Sequence, residues 1–195
     1  MTCIVGIAQG GVVHIGGDSA ATHGTVPKLV AAGKVWRTGE FIMGGSGSSR
    51  VNDLIRYNFR PPKIRFEGSR PESVDRYMNS AFASSLRKLF EEQSCIGKDE
   101  ETQQEDFGGS LLIGVRGSLY LMDCSFSAYR TVDEFNATGS GHEVALGALH
   151  ALAAAGAALT PRERLKIALE AAERWQDGIR APFTFESTRV RRAKR

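Results

Sequence analysis

Met1-Thr2-Cys3-Ile4-Val5-Gly6-Ile7, a turn at Gln9-Gly10-Gly11, and Val12-Val13-His14-Ile15-Gly16-Gly17 running into Asp18 form the stretch that decides the fold. Two apolar, β-prone runs around a glycine turn predict a hairpin. Pairing of those runs puts Asp18, at the end of the second strand, beside the start of the first, where Thr2 stands. A threonine directly behind the initiator methionine becomes the first residue once that methionine is removed. Its hydroxyl can then attack a carbonyl while its own α-amine, with an ordinary pKa of about 7.7 to 8.0, takes the proton. Alone, Thr2 marks only a start site that suits a methionine aminopeptidase, which acts ahead of small residues.

Working outward, a third run, Lys34-Val35-Trp36-Arg37, turns at Thr38-Gly39 and returns as Phe41-Ile42-Met43 into Gly44-Gly45-Ser46-Gly47, read as a glycine-rich turn. Thr2 is thus followed by an acid 16 residues later and a lysine 32 residues later. Asp18 and Lys34 by themselves describe an ordinary ion pair. Their placement relative to Thr2 gives them a catalytic reading.

Those residues resemble the proteasome β-subunit and its bacterial relative, the HslV peptidase, which are N-terminal-nucleophile hydrolases using threonine. The resemblance rests on Thr2 with its following strand, Gly16-Gly17-Asp18, Lys34, the segment Ile42 to Gly47 and Thr138-Gly139-Ser140-Gly141, and it covers essentially the whole chain. It implies an α+β, four-layer αββα sandwich with Thr2, Asp18, Lys34, Gly44, Ser140 and Asp177 as the catalytic set. Gly44 takes the oxyanion position, Ser140 is the accessory hydroxyl near the α-amine, and Asp177 is the accessory acid of the last helix, reached with a one-residue insertion. Two departures stand out: Cys3 replaces the family's usual second threonine, and Arg180 replaces a serine that often follows the accessory acid. With Met1 alone ahead of Thr2, maturation requires a methionine aminopeptidase and no autocatalytic cleavage. The resemblance further implies an unfolded polypeptide as substrate and homo-oligomeric rings of about six or seven subunits, two of them stacked. An ATP-dependent unfoldase could feed such a particle, although no residue here identifies one.

Composition agrees. A 195-residue chain with 42% hydrophobic residues is enough for one domain, at a size that buries roughly 70% of the unfolded surface. We assign residues 1–188 to that domain and 189–195 to a basic tail. The net charge of +3 belongs to that tail, because Arg189, Arg191, Arg192, Lys194 and Arg195 outweigh it and leave the rest slightly acidic. A solvated terminus is the simpler reading of such a run than a nucleic-acid contact. The acidic stretch Asp99-Glu100-Glu101 with Glu105-Asp106 reads likewise as a solvated connection. Without an apolar run near 18 residues or a charged-then-apolar leader, the expectation is a cytoplasmic protein with no membrane contact. Cys3, Cys95 and Cys124 lack C-x-x-C spacing, and the four histidines include no H-E-x-x-H and no i, i+4 pair, so no disulfide framework and no metal is expected. Gly44 to Gly47 lacks the lysine of a phosphate-binding loop, and the threonine chemistry requires no organic cofactor.

The middle of the chain supplies helices. One runs from Ser48 to about Phe59, with Val51, Leu54, Ile55 and Asn58 on one face, and stops at Pro61-Pro62. A longer one starts at the capping-box spacing Ser69-Arg70-Pro71-Glu72 and carries Val74, Met78, Phe82, Leu86 and Phe90 as a core stripe. Leu111–Val115 and Ser118–Met122 form a hairpin about Arg116-Gly117, and Tyr129–Thr138 adds strand content. Two helices follow, His142–Ala155, whose alanines and glycines suit close packing, and one from the box Thr160-Pro161-Arg162-Glu163 to near Asp177; Phe183–Val190 closes as a strand. Two rival functions share this sequence pattern: an N-terminal-nucleophile amidase acting on a small amide, and a catalytically silent shell protein of the same fold that keeps Met1.

Overall fold

The computed structural model describes residues 1–23, 26–98, 101 and 103–188. The predicted first hairpin is present as β1 (Ile4–Gln9) and β2 (Val12–Gly17), followed by a small hairpin of β3 (Ala20–His23) and β4 (Val26–Leu29) that periodicity did not reveal. Next come β5 (Val35–Thr38), β6 (Phe41–Gly47) and helix α1 (Ser49–Asn58). Helices α2 (Pro71–Tyr77) and α3 (Ala83–Glu92) are joined by a π-helical turn, Met78–Phe82. Short β7 (Gly97–Lys98) and β8 (Glu105–Asp106) precede β9 (Gly109–Val115), β10 (Ser118–Met122), β11 (Ala128–Tyr129) and β12 (Phe135–Thr138). Helices α4 (His142–Ala154) and α5 (Pro161–Trp175) then lead to β13 (Thr184–Ser187).

Two antiparallel sheets carry the molecule, one ordered β12-β1-β2-β13 and the other β11-β10-β9-β6-β5. Their facing residues make one apolar cluster, in which Ile4, Val13 and Ile15 of the first sheet meet Val35, Ile42, Leu112 and Leu119 of the second. On the outer side of the first sheet, Val5, Ile7 and Ala137 pack on Ala145, Leu149, Leu165 and Leu169 of α4 and α5. On the outer side of the second, Met43, Leu111 and Ile113 pack on Val51 and Ile55 of α1 and on the predicted stripe Val74, Met78, Phe82, Leu86 and Phe90, every one of which is fully buried.

That stripe explains the π turn. Its apolar residues recur every fourth position, whereas an α-helix turns in about 3.6 residues, so in a regular helix the stripe would rotate off the core. A wider i→i+5 turn at Met78–Phe82 absorbs the excess and returns Leu86 and Phe90 to the sheet.

Other expectations are corrected. Gly44 to Gly47 is not a turn: β6 continues through it because β5 and β9 flank it. Ser69 does not cap; Arg70 is the N-cap, without a side-chain bond, and Pro71 begins the helix. Thr160 does form the full reciprocal box with Glu163. Asn58 is exposed, unlike its three predicted companions. The strand content expected over Tyr129–Thr138 is present and divided between two sheets, since the chain crosses from one to the other between β11 and β12. Helix α5 ends at Trp175, near Asp177 as predicted, and leaves that residue outside the helix. In the acidic stretch Glu105 is engaged by Arg87, while Asp99, Glu100 and the tail 189–195 lie outside the described residues. No helix among the described residues is long and apolar enough to cross a membrane.

Register brings distant segments to one end of both sheets. Ile4 lies opposite Gly17 and also opposite Thr138, so Thr2 falls between Asp18 and the turn Gly139-Ser140. Gly139 has φ +91°, and a Cβ there would run into the Thr2 carbonyl. Gly139→Ala is therefore expected to cost about 1–3 kcal/mol, read as a lowered urea midpoint at unchanged slope, and to move Thr2 with it.

Candidate active site

Thr2, nearly buried at 9% exposure, is held by its backbone. Its N–H donates to Ser140 Oγ at 3.1 Å, and its carbonyl accepts from Gly141 N–H at 3.2 Å and from Ser140 Oγ at 3.3 Å. Cys3 pins the next peptide, donating its N–H to Asp18 Oδ1 at 2.9 Å and accepting Asp18 N–H at 3.2 Å. These bonds leave the Thr2 hydroxyl facing Lys34.

Asp18 is wholly buried, and a lone carboxylate there would be costly. It is fully partnered instead: Oδ1 accepts from Cys3 N–H and Lys34 Nζ, while Oδ2 accepts from Ala20 N–H at 3.0 Å and again from Lys34 Nζ. Lys34 comes from the start of β5, opposite Gly45, whose N–H donates to the Lys34 carbonyl at 3.3 Å. Its ammonium has three donors and three destinations: Asp18 at 2.9 Å, Thr2 Oγ at 3.0 Å and the Met1 carbonyl at 2.8 Å. Burial pushes Lys34 below its ordinary pKa, and the charge and hydrogen bonds of Asp18 offset this only in part. A lowered amine pKa enlarges the neutral fraction, the form able to accept a proton from Thr2.

Cys3 sits next to this constellation but is withdrawn from it. The thiol is fully buried, and desolvation, reinforced by the Asp18 charge, pushes its pKa up to about 12. The neutral thiol is thus favoured in the fold, and the associated stability is complete below about pH 9 and lost as pH rises toward 12.

Ser140, Asp18, Lys34 and Thr2 converge as expected. Gly44 and Asp177 do not join them. Gly44 lies inside the β6 ladder between Val35 and Leu112. Because the Gly45 N–H points to the β5 flank, strand alternation turns that of Gly44 toward β9. By the same alternation the N–H of Gly47, two residues beyond Gly45 and exposed, falls on the Gly45 flank, past the last residue of β6 that β5 pairs. Asp177 is exposed in the turn after α5, and no hydrogen bond or ion pair joins it to Thr2, Lys34 or Ser140. It lines a groove of about 470 Å³ with Glu170, Glu173 and Gln176. Gln176 touches the Met1 sulfur, so this groove borders the N-terminus. A larger cavity, about 700 Å³ between residues 62–66 and α2, is lined by none of the site residues.

Sequence reading missed a polar cluster between the sheets. Ser46, Ser110 and Thr138 share hydrogen bonds, Ser46 Oγ to Ser110 Oγ at 2.8 Å and Thr138 Oγ1 bonded to both. Each precedes or follows a glycine of the site region, so the cluster ties the ends of β6, β9 and β12 together. The alternation of polar and glycine residues in Gly45-Ser46-Gly47 was its sequence signal.

Three solved structures overlay almost all of this chain. Thiobacillus denitrificans BPH in complex with epoxomicin matches with a TM-score of 0.75 and 18% identity over 98% of this chain and 100% of the other. The chain has the BPH and HslV fold. BPH without that compound gives 0.74 and 20% over 95% and 97%, and eukaryotic HslV from Trypanosoma brucei gives 0.64 and 17% over 95% and 98%. No protein-family model and no curated protein sequence matches the chain, so the likeness to BPH and HslV is one of three-dimensional form.

The buried, neutral thiol generates a direct check on which side chain at this end of the sheets is reactive. Iodoacetamide at pH 8 is expected to leave Cys3 unmodified in the native protein and to label it after unfolding, read by peptide mass. Rapid native labelling of Cys3 would make it the exposed thiolate that the geometry denies.

Proposed function

We propose that this chain is a threonine-type endopeptidase subunit of a proteasome-like or HslV-like particle, with Thr2 as N-terminal nucleophile after removal of Met1. The observation that carries the reading is the position of Lys34 Nζ, within 3.0 Å of Thr2 Oγ while both oxygens of the buried Asp18 hold it. Removal of Met1 takes away one of the three acceptors of Lys34 and turns the Thr2 nitrogen, already bonded to Ser140, into a free amine.

Thr2 Oγ then attacks a peptide carbonyl, and its proton passes to the α-amine or to Lys34. Asp18 fixes the direction of Lys34. The carbonyl oxygen gains charge, and the amide best directed to meet it is Gly47 rather than Gly44; such a donor is worth roughly 3 to 4 kcal/mol. Collapse releases the amine half of the substrate with the transferred proton and leaves an ester on Thr2, which water hydrolyses to regenerate the hydroxyl. Asp177 has no part in these steps.

The three apolar clusters support a four-layer αββα arrangement, with residues 1–188 as one domain and 189–195 as its basic tail. By analogy with the particles whose fold it shares, the subunit assembles into homo-oligomeric rings that enclose Thr2 and admit unfolded polypeptide, with an ATP-dependent unfoldase as the feeding partner.

Thr2→Ala removes the attacking oxygen at little cost to the fold. It is expected to abolish both peptide cleavage and covalent modification by a peptide epoxyketone, measured on Met1-free protein by product mass and intact mass. Retention of cleavage in that variant would overturn the nucleophile assignment. Light scattering is expected to give a multiple of a ring, and a stable monomer at micromolar concentration would sink the compartment reading. Asp18→Asn keeps shape but loses charge, so a large, incomplete fall in kcat is expected.

A further inference from the structure

Arg56 lies on α1, outside the set of groups that touch Thr2, yet it grips the chain on both sides of Lys34. Its Nη2 donates to the Gly33 carbonyl at 2.8 Å, and its guanidinium lies over the Trp36 ring at 5.0 Å. Among the described residues no carboxylate pairs with it, so this half-buried cation is committed to a backbone carbonyl and an aromatic face.

The carbonyl it holds belongs to the peptide group that leads into Lys34. Gly33 has φ +63°, and a Cβ there would come within 2.7 Å of the Thr184 methyl, so the turn before Lys34 takes a conformation that a side chain would oppose. The Lys34 carbonyl is fixed independently by Gly45 N–H. With Arg56 on the preceding carbonyl and Gly45 on the following one, both peptide planes flanking the Lys34 Cα are set. Helix α1 begins at Ser49, just beyond Gly47, so Arg56 also links the Lys34 turn to the element that continues from the Gly47 amide.

We infer that Arg56 is a positioning residue that holds Lys34 Nζ on Thr2 Oγ by anchoring the Gly33 carbonyl and the Trp36 ring. The inference rests on the proposed threonine chemistry for its kinetic consequence, but the hold on Lys34 is observable without it. A displacement of about an ångström at a reacting group can cost up to about a hundredfold in rate.

Arg56→Met keeps the apolar stem and removes the donors. In Met1-free protein, with active sites counted by covalent peptide epoxyketone, kcat is expected to fall about tenfold to a hundredfold at nearly constant KM. Millimolar guanidinium, well below denaturing concentration, is expected to restore part of that loss, an effect that a general loss of packing would not show. The resonances of Lys34 in lysine-labelled protein are expected to move on Arg56→Met and to move back with guanidinium. A kcat within about twofold of wild type, or a loss that guanidinium leaves untouched, would overturn the inference. Absence of cleavage and of any Thr2 adduct in the wild type would instead defeat the threonine-peptidase reading. In that event the Lys34 resonances still decide: unchanged signals in Arg56→Met refute the hold, and displaced ones support it.

Discussion

A carboxylate with no exposure to water has to be surrounded by donors, and the constraint that Asp18 imposes organises this protein. Desolvating such a group and its cation costs several kcal/mol for each ion, recovered only with close geometry and every lone pair engaged. Asp18 meets that condition with two backbone N–H groups and the Lys34 ammonium. Each of those donors depends on a different part of the fold: Cys3 on the β1 start, Ala20 on the β3 start, and Lys34 on the β5 start. Shifting any of the three by one residue would leave the carboxylate short of a partner.

The sheets supply that registration. Antiparallel pairing of β1 with both β2 and β12 fixes Thr2 between Asp18 and Ser140, and the inter-sheet cluster of Ile4, Val35 and Ile42 fixes the second sheet, with Lys34 at its edge, over the first. The helices cover the outer faces and keep both sheets from sliding. Arg56 carries the same logic one layer further out, since it ties α1 to the turn before Lys34. The position of the Thr2 hydroxyl on Lys34 is thereby supported in three successive layers, the buried ion pair, the strand ends that supply it, and the helix that grips one of those ends.

Electrostatics separates the two adjacent side chains that could serve as nucleophile. Thr2 reaches the edge of the site with its hydroxyl on Lys34, whereas Cys3, one residue on and just ahead of β1, faces inward into the cluster beneath α4 and α5. The inward position removes water from the thiol and places it near the Asp18 charge, both of which keep it protonated. A thiol is the stronger nucleophile in solution only as thiolate, and that form is suppressed here.

Legible in the chain itself were the first hairpin, the spacing of Thr2, Asp18 and Lys34, the core stripe from Val74 to Phe90 and the Thr160–Glu163 box. All of these follow from local rules: two-residue and four-residue periodicity, glycine turns and cap chemistry. Tertiary structure alone decided the rest, because it depends on which segments become neighbours. Gly44 to Gly47 reads as a turn until β5 and β9 are seen on either side, and its flanking strands then decide which of its amides is free. Asp177, by resemblance the acid of the last helix, is left exposed in the turn because α5 ends at Trp175. The four-residue stripe gives no hint of the π turn until the sheet demands that Val74 and Phe90 face the same core. Ser46, Ser110 and Thr138 are far apart in the chain and meet only across the two sheets, and Arg56 acquires its role only because α1 lies over the carbonyl of Gly33. Long-range hydrogen bonds of that kind have no period and no motif, so no local reading of the chain contains them.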